Sequence, residues 1–287
     1  MYMRTLRITE KLFFTLRMLL ISGVERQSFL DSFLVSFFIK FIRVLPATRQ
    51  GFFTLFAISL SPHYFYNRKV YSSYSEFLTQ ENHRINNSRS ALATNLNKQF
   101  GCANLDILDY GCGMGWLCNN LLKFSPRSVM GVDMSTNVIS LARILHPDPR
   151  LQFESLPNFK NAHEDKQFDL VTAIAVTQHM SEERLREFFK VINLVMKDEG
   201  RLLIHFMTES TGALTESEWL RDRSIQGRIK LRIGLHCFAR TYQDICTLGK
   251  EFNLQAVTEF DSSSIIENVD DDVSSEEWIL FRKKIGY

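Results

Sequence analysis

A doubly wound α/β fold, built on a mostly parallel seven-stranded sheet, is predicted for most of this 287-residue chain, with an N-terminal helical cap ahead of it. Three observations predict it. From about residue 105, short apolar runs alternate with segments of helical period, the pattern of parallel strands joined by helices on both faces. The first run enters a glycine-rich turn, Gly111-Cys-Gly-Met-Gly115. The second ends in an acid, Asp133, 18 residues beyond that turn.

The cap is the first 83 residues. Residues 1–70 carry ten Lys or Arg against three acids, a net +7, whereas the remainder carries −5. Eleven of the 24 phenylalanines also fall there, with Phe29, Phe33, Phe37 and Phe41 at helical spacing. Such a head reads as a helical cover for an apolar substrate or core, or as a membrane-surface element. A transmembrane span needs about 20 consecutive apolar residues. Arg17, Asp31, Lys40, Arg43 and Arg49 interrupt the apolar runs well before that, so neither a span nor a cleavable leader is expected.

Residues 84–287 form the second unit. Residues 84–100 read as a helix stopped at Gly101. Strands are expected at 105–109, 129–133, 151–154, 168–174 and 201–207. Helices follow the glycine turn and Ser135, which is placed to cap, and a third covers 182–196 with Gly200 as its stop. An irregular insertion at 209–238 precedes a helix at 240–252. Strands at 254–260 and 277–282 close the chain, paired as a hairpin around an acidic loop because no helix separates them.

Composition narrows the function. Hydrophobic residues at 45% and charged residues at 23% describe a globular protein. A net charge of +2 supplies no global field for nucleic acid. Five cysteines without a Cys-x-x-Cys pair point away from zinc and disulfides and toward a reducing, cytoplasmic setting.

The chemistry lies in Asp109-Tyr-Gly-Cys-Gly-Met-Gly115 and Asp133. Glycines let the backbone turn tightly and let a ligand approach the main chain. In a doubly wound sheet this turn lies at the switch point where ligands bind. A carboxylate at the end of the second strand can accept hydrogen bonds from both hydroxyls of a ribose. Asp109, directly before the turn, would repel a pyrophosphate and suits a ligand with a sulfonium and an amino group.

These segments resemble the Rossmann-like S-adenosylmethionine-dependent methyltransferases. The likeness includes Gly131-Val-Asp133-Met-Ser135, Phe168-Asp-Leu-Val-Thr-Ala173 with Gln178-His179, and Val195-Met-Lys-Asp-Glu-Gly-Arg-Leu-Leu-Ile204. The resemblance implies S-adenosylmethionine as cofactor and S-adenosylhomocysteine as product. It implies that Asp109, Gly111, Cys112, Gly113 and Gly115 hold the aminoacid part. Asp133 would bind the ribose, Met134 would lie against adenine, and Ser155 and Leu156 would line that ring. Here the sequence departs from the family: its acid in a Gly-Asp-Ala-like text is not evident, and Glu154 stands one position out of register. Ala173, Ile174 and Val176 would flank the methionine moiety. Tyr71, Tyr74 and Arg84 would close over the cofactor, with Arg89 competing for the carboxylate.

An oxygen acceptor needs a base near neutral pH. His179, after the fourth strand, and His205, near the end of the fifth, are the expected catalytic residues, and His236 lies in the lid-like insertion. No metal is expected. The expected acceptor is a small apolar or aromatic molecule of secondary-metabolite type. Alternatives are a membrane-associated lipid or quinone methyltransferase and an S-adenosylmethionine-binding cyclase or partner subunit without methyl transfer. The basic head allows peripheral membrane contact, and self-association is left open.

Overall fold

The computed structural model describes residues 74–162, 167–224, 227–228, 231, 236–269 and 277–284. The Phe-rich stripe, Tyr71 and most of the acidic loop after 267 lie outside these residues, as does part of the 209–238 insertion.

Helix α1 (Tyr74–Phe100) leads into strand β1 (Asp106–Tyr110). The remaining strands are β2 (Ser128–Asp133), β3 (Leu151–Ser155), β4 (Phe168–Ala173), β5 (Met196–Phe206), β6 (Leu254–Ala256) and β7 (Glu277–Lys283). They form one seven-stranded sheet in the order β3-β2-β1-β4-β5-β7-β6. The first five are parallel, and β7 runs antiparallel to both β5 and β6. The order reverses beside β1, which makes the ends of β1 and β4 the switch point.

Helices cover both faces, so the central strands are apolar on both sides. Neighbours in β1 point oppositely. Ile107 joins Leu92, Leu96, Leu121, Val129 and Trp278 on one face, and Leu108 joins Met130, Phe188, Phe189, Ile204 and Phe281 on the other. Ser135 caps the helix Thr136–Leu145 as expected, its hydroxyl accepting the Val138 N–H at 3.2 Å.

Three boundaries differ from the expectation, each for a local reason. Helix α1 begins at Tyr74 and runs unbroken across the 83/84 boundary. The helix Glu182–Val195 stops before Met196, and Gly200 lies inside β5 instead of ending the helix. Lys197 is tied to Asp106 at 3.1 Å and to Asp169 at 2.9 Å, which draws residues 196–200 into the sheet. A Cβ at Gly200 would stand 2.4 Å from Met196 Cγ, so only glycine fits where β4 and β5 change register. The strand expected at 254–260 ends at Ala256. Beyond it the chain turns into a short helix, Ser263–Ile266, that docks on α1 through Asn95 Nδ2, which donates to the carbonyls of Ile265 (2.9 Å) and Glu267 (2.8 Å). The last two strands pair antiparallel as expected, although the short helix Ser263–Ile266, which the sequence reading did not anticipate, lies between them.

Candidate functional site

The site is built at the carboxyl ends of the central parallel strands. Between β1 and the helix Trp116–Leu121, Gly111, Gly113 and Gly115 take φ of +79°, +52° and +77°. Only glycine adopts this region readily. A Cβ at Gly111 would stand 2.4 Å from Val176 Cγ2, and one at Gly115 would stand 2.5 Å from Phe153 Cζ. A Cβ at Gly113 would meet nothing within 4 Å, so Gly113 faces open space. Cys112 turns inward: the Cβ of a residue replacing Gly131 would stand 2.8 Å from its sulfur, and burial pushes its thiol well above the ordinary range. Cys112 can therefore serve a ligand only through its backbone.

Asp133 closes the turn from the next strand. Its Oδ2 accepts the Gly113 N–H at 3.2 Å and its Oδ1 accepts the Ser135 N–H at 2.9 Å. A carboxylate accepts hydrogen bonds and donates none, so hydroxyl donors are the ligand groups that suit it. Ser155 is the register partner of Asp133 on β3, which brings these two predicted residues side by side. Leu156 begins the next helix, Leu156–Ala162, with its side chain in the core. Met134 is 51% exposed, and Arg184 Nη1 donates to its sulfur at 3.4 Å.

Asp109 lies beneath the turn and is only 4% exposed. Its Oδ1 accepts the Thr172 hydroxyl at 2.8 Å and its Oδ2 accepts the Cys118 thiol at 3.5 Å. Burial raises its pKa, against the lowering influence of these bonds and of the Arg89 charge. The carboxyl thus braces β1 against β4, an arrangement the glycine motif alone does not announce.

The segment after β4 carries the remaining groups. Ala173 and Ile174 are buried, and Ala175 takes φ +57°. The Ala175 N–H donates to His205 Nδ1 at 3.1 Å, and the Thr177 hydroxyl donates to the His205 carbonyl at 2.7 Å. His205 is fully buried. This geometry holds the loop after β4 rather than presenting a base to the surface. His179 is exposed at the end of the same loop, with Nδ1 2.6 Å from the His236 carbonyl and 3.9 Å from Cys237 Sγ. Beside it a cavity of about 400 Å³ is lined by Met207, Leu214, Trp219, Asp222, Ser224 and Cys237, among others. Arg84 lies half-buried on α1, and Tyr74 is the first residue of that helix. Among the described residues no cluster of His, Cys, Asp and Glu could hold a metal.

Sequence reasoning placed Val176 by resemblance but missed Thr172, Arg184 and Cys237. Each missed residue acts through a contact between segments distant in sequence, and none has a local signal.

The fold and this site define a class: a doubly wound sheet with a glycine cradle and an acid at the end of β2. S-Adenosylmethionine fits the residues present, because the cradle is open at Gly113 and the Asp133 carboxylate stands beside it. The model of a family described as "Methyltransferase domain" matches residues 107–200. A mitochondrial ubiquinone biosynthesis O-methyltransferase of Dictyostelium discoideum is 29% identical over 113 residues, covering 35% of this chain and 34% of that protein. The N-demethylindolmycin N-methyltransferase of Streptomyces griseus is 38% identical over 52 residues, 18% of this chain and 22% of that one. Among solved structures, the CcbJ methyltransferase of Streptomyces caelestis superposes with a TM-score of 0.50 at 14% identity, over 68% of this chain and 90% of that one. The chain matches between 34% and 41% of the length of its ubiquinone-biosynthesis relatives. Residues 107–200 are thus similar to a methyltransferase domain, and the sheet has the order of a Rossmann-like methyltransferase fold.

Proposed function

We propose that this protein methylates the oxygen of a small phenolic acceptor of the lipid or quinone type. The observation that carries this reading is the cavity beside His179, whose walls combine Trp219, Met207 and Leu214 with the polar Asp222 and Ser224. A lining that mixes apolar and polar groups in comparable measure can take an aromatic ring bearing hydroxyls. Several curated relatives are ubiquinone biosynthesis O-methyltransferases, which favours this acceptor class over the secondary-metabolite type first expected from the head.

Bound S-adenosylmethionine supplies a methyl group already activated on a sulfonium. The protein's part is to align the acceptor, exclude water and take a proton. Asp133 and the Gly111–Gly115 cradle hold the ribose and aminoacid parts. His179 Nδ1 donates to the His236 carbonyl, so the basic nitrogen of the neutral ring is Nε2. That nitrogen takes the phenol proton as the oxygen becomes nucleophilic. His205 fixes the loop that carries His179. Arg84 and the start of α1 at Tyr74 cover the aminoacid end.

Among the described residues no helix is long and apolar enough to cross a membrane. The basic head, with its net +7, would bring the site to an anionic lipid surface. Sedimentation with anionic liposomes, lost when residues 1–45 are removed, tests that contact. The acceptor is tested by measuring S-adenosylhomocysteine release with phenols bearing isoprenoid tails, with tail-less phenols and with amines. Turnover confined to polar acceptors overturns the acceptor class. Tight cofactor binding with no product from any acceptor favours the non-methylating alternative.

A further inference from the structure

The loop after β4 and the end of the 209–238 insertion are joined by a reciprocal pair of contacts between two histidines. His179 Nδ1 lies 2.6 Å from the His236 carbonyl oxygen. His236 Nε2 lies 3.3 Å from the His179 carbonyl oxygen. A carbonyl only accepts, so in both contacts the ring nitrogen donates. A neutral imidazole has one N–H. The clasp therefore assigns the proton to Nδ1 of His179 and to Nε2 of His236, and it does so across 57 residues of chain.

The surroundings hold the clasp in place. Phe238 N–H donates to the Gln178 carbonyl at 2.7 Å. The Arg240 guanidinium donates to the carbonyls of Thr177, at 3.2 Å, and of Met180. The His236 ring packs against Phe238 with centroids 4.5 Å apart and edge-on to Trp219 at 6.3 Å. Cys237 and Arg184 flank the two imidazoles, and the Glu216 carboxylate lies beyond at 3.9 Å from Arg240, while Glu182 accompanies it. Burial and the neighbouring His179 lower the His236 pKa to about 4, so His236 stays neutral where the enzyme would work.

We infer that His236 is a positioning residue for catalysis: its ring holds its own segment so that its carbonyl fixes His179 with the lone pair on Nε2. This rests on the reading of His179 as the base. A carbonyl or carboxylate on the far nitrogen orients a catalytic histidine and steadies the charge formed when it takes a proton. Without the reverse bond the carbonyl is free to move, and the His179 ring can turn or adopt the other tautomer.

The test uses the full chain labelled with ¹⁵N histidine. The His179 signals are assigned among the seven histidines by their loss in His179→Gln. The wild type is expected to show Nδ1 of His179 protonated and Nε2 bare at neutral pH. His236→Phe keeps an aromatic ring and deletes the donor, so His179 should relax to the tautomer mixture of a free imidazole. His236→Gln keeps an amide N–H at similar reach and should restore the wild-type pattern. With a phenolic acceptor, kcat of His236→Phe should fall about tenfold to a hundredfold, with KM for S-adenosylmethionine unchanged. A wild-type tautomer in His236→Phe overturns the proposal. Undiminished turnover in His179→Gln overturns the assignment of His179 as base while leaving the acceptor class and cofactor site standing.

Discussion

Gly113 donates its backbone N–H to Asp133 Oδ2 at 3.2 Å, which makes the glycine turn and the end of β2 one hydrogen-bonded unit. The same carboxylate holds the Ser135 N–H at 2.9 Å, at the start of the next helix. The carboxylate thus stands at the edge of the cradle. Asp133→Ala should therefore weaken S-adenosylmethionine binding by about 1.5–3 kcal/mol for each charged bond lost. Calorimetric titration measures it, and unchanged affinity in a folded variant would remove Asp133 from the cofactor site.

Gly111 and Gly113 are both at positive φ, yet they predict different outcomes. Gly111→Ala drives a methyl into Val176 and should lower stability in urea denaturation, with part of the loss recovered in Gly111→Ala/Val176→Ala. Gly113→Ala meets no neighbour, so its stability loss should be confined to backbone strain of about 1–2 kcal/mol. Its methyl would enter the cradle, and cofactor affinity should fall further than stability. Equal effects of the two substitutions on binding would argue against a ligand at Gly113.

Much of this site was legible because its signals are local. The glycine turn, Asp133 and the Ser135 cap are fixed by neighbours within a few residues, and the strand alternation required a parallel sheet. The helix after Ser181 ends within a residue of its expected place. The start of β5 was misplaced because Gly200 read as a stop, whereas Lys197 reaches Asp106 and Asp169 and draws residues 196–200 into the strand. Likewise the residues that hold Asp109, His179 and His205 come from β4, the helix after the glycine turn, the loop after β4 and the insertion. Their spacing in sequence says nothing about which histidine is exposed and which is buried.

Asp109 gives a pH dependence of definite sign. Its pKa is raised in the folded protein by burial. The folded state therefore holds this proton more tightly than the unfolded chain does. Its stabilising contribution is complete below the unfolded pKa and is lost as pH rises through the folded one. Asp109→Asn keeps the shape and removes the charge, so it should equal or exceed the wild type in stability at neutral pH. Urea midpoints from pH 4 to 8 should show a flatter profile for the variant. A large loss at neutral pH would mean that the bonds from Thr172 and Cys118 outweigh the cost of burial.

His146 acts in the opposite direction. It packs edge-on against Trp116 with centroids 4.9 Å apart, and burial lowers its pKa from 6.5 to about 4. The unfolded chain takes up a proton that the folded protein refuses, so stability present above pH 6.5 is lost as pH falls toward 4. His146→Phe should flatten the acid limb of the stability profile in that window. A limb as steep as the wild type's would assign the acid sensitivity to other groups, His236 first among them.

His179 and His205 are both histidines near the C-terminal ends of adjacent strands, and the structure predicts that their substitutions separate cleanly. His205 is fully buried and accepts the Ala175 N–H at a residue held at φ +57°. His205→Phe leaves that N–H without its acceptor, which costs about 1–3 kcal/mol. It should lower the urea midpoint and, by loosening the loop, reduce turnover without abolishing the pH dependence of the rate. His179 is exposed, and His179→Ala removes no core packing. Its urea midpoint should stay close to the wild type's, while phenol methylation falls by about 10²–10⁴ and recovers as pH rises toward the pKa of the phenol itself. Stability and pH–rate profiles on the two variants decide between the roles. If His205→Phe instead erased the pH dependence at unchanged stability, the base would be the buried histidine, and the loop after β4 would have to open for the acceptor to reach it.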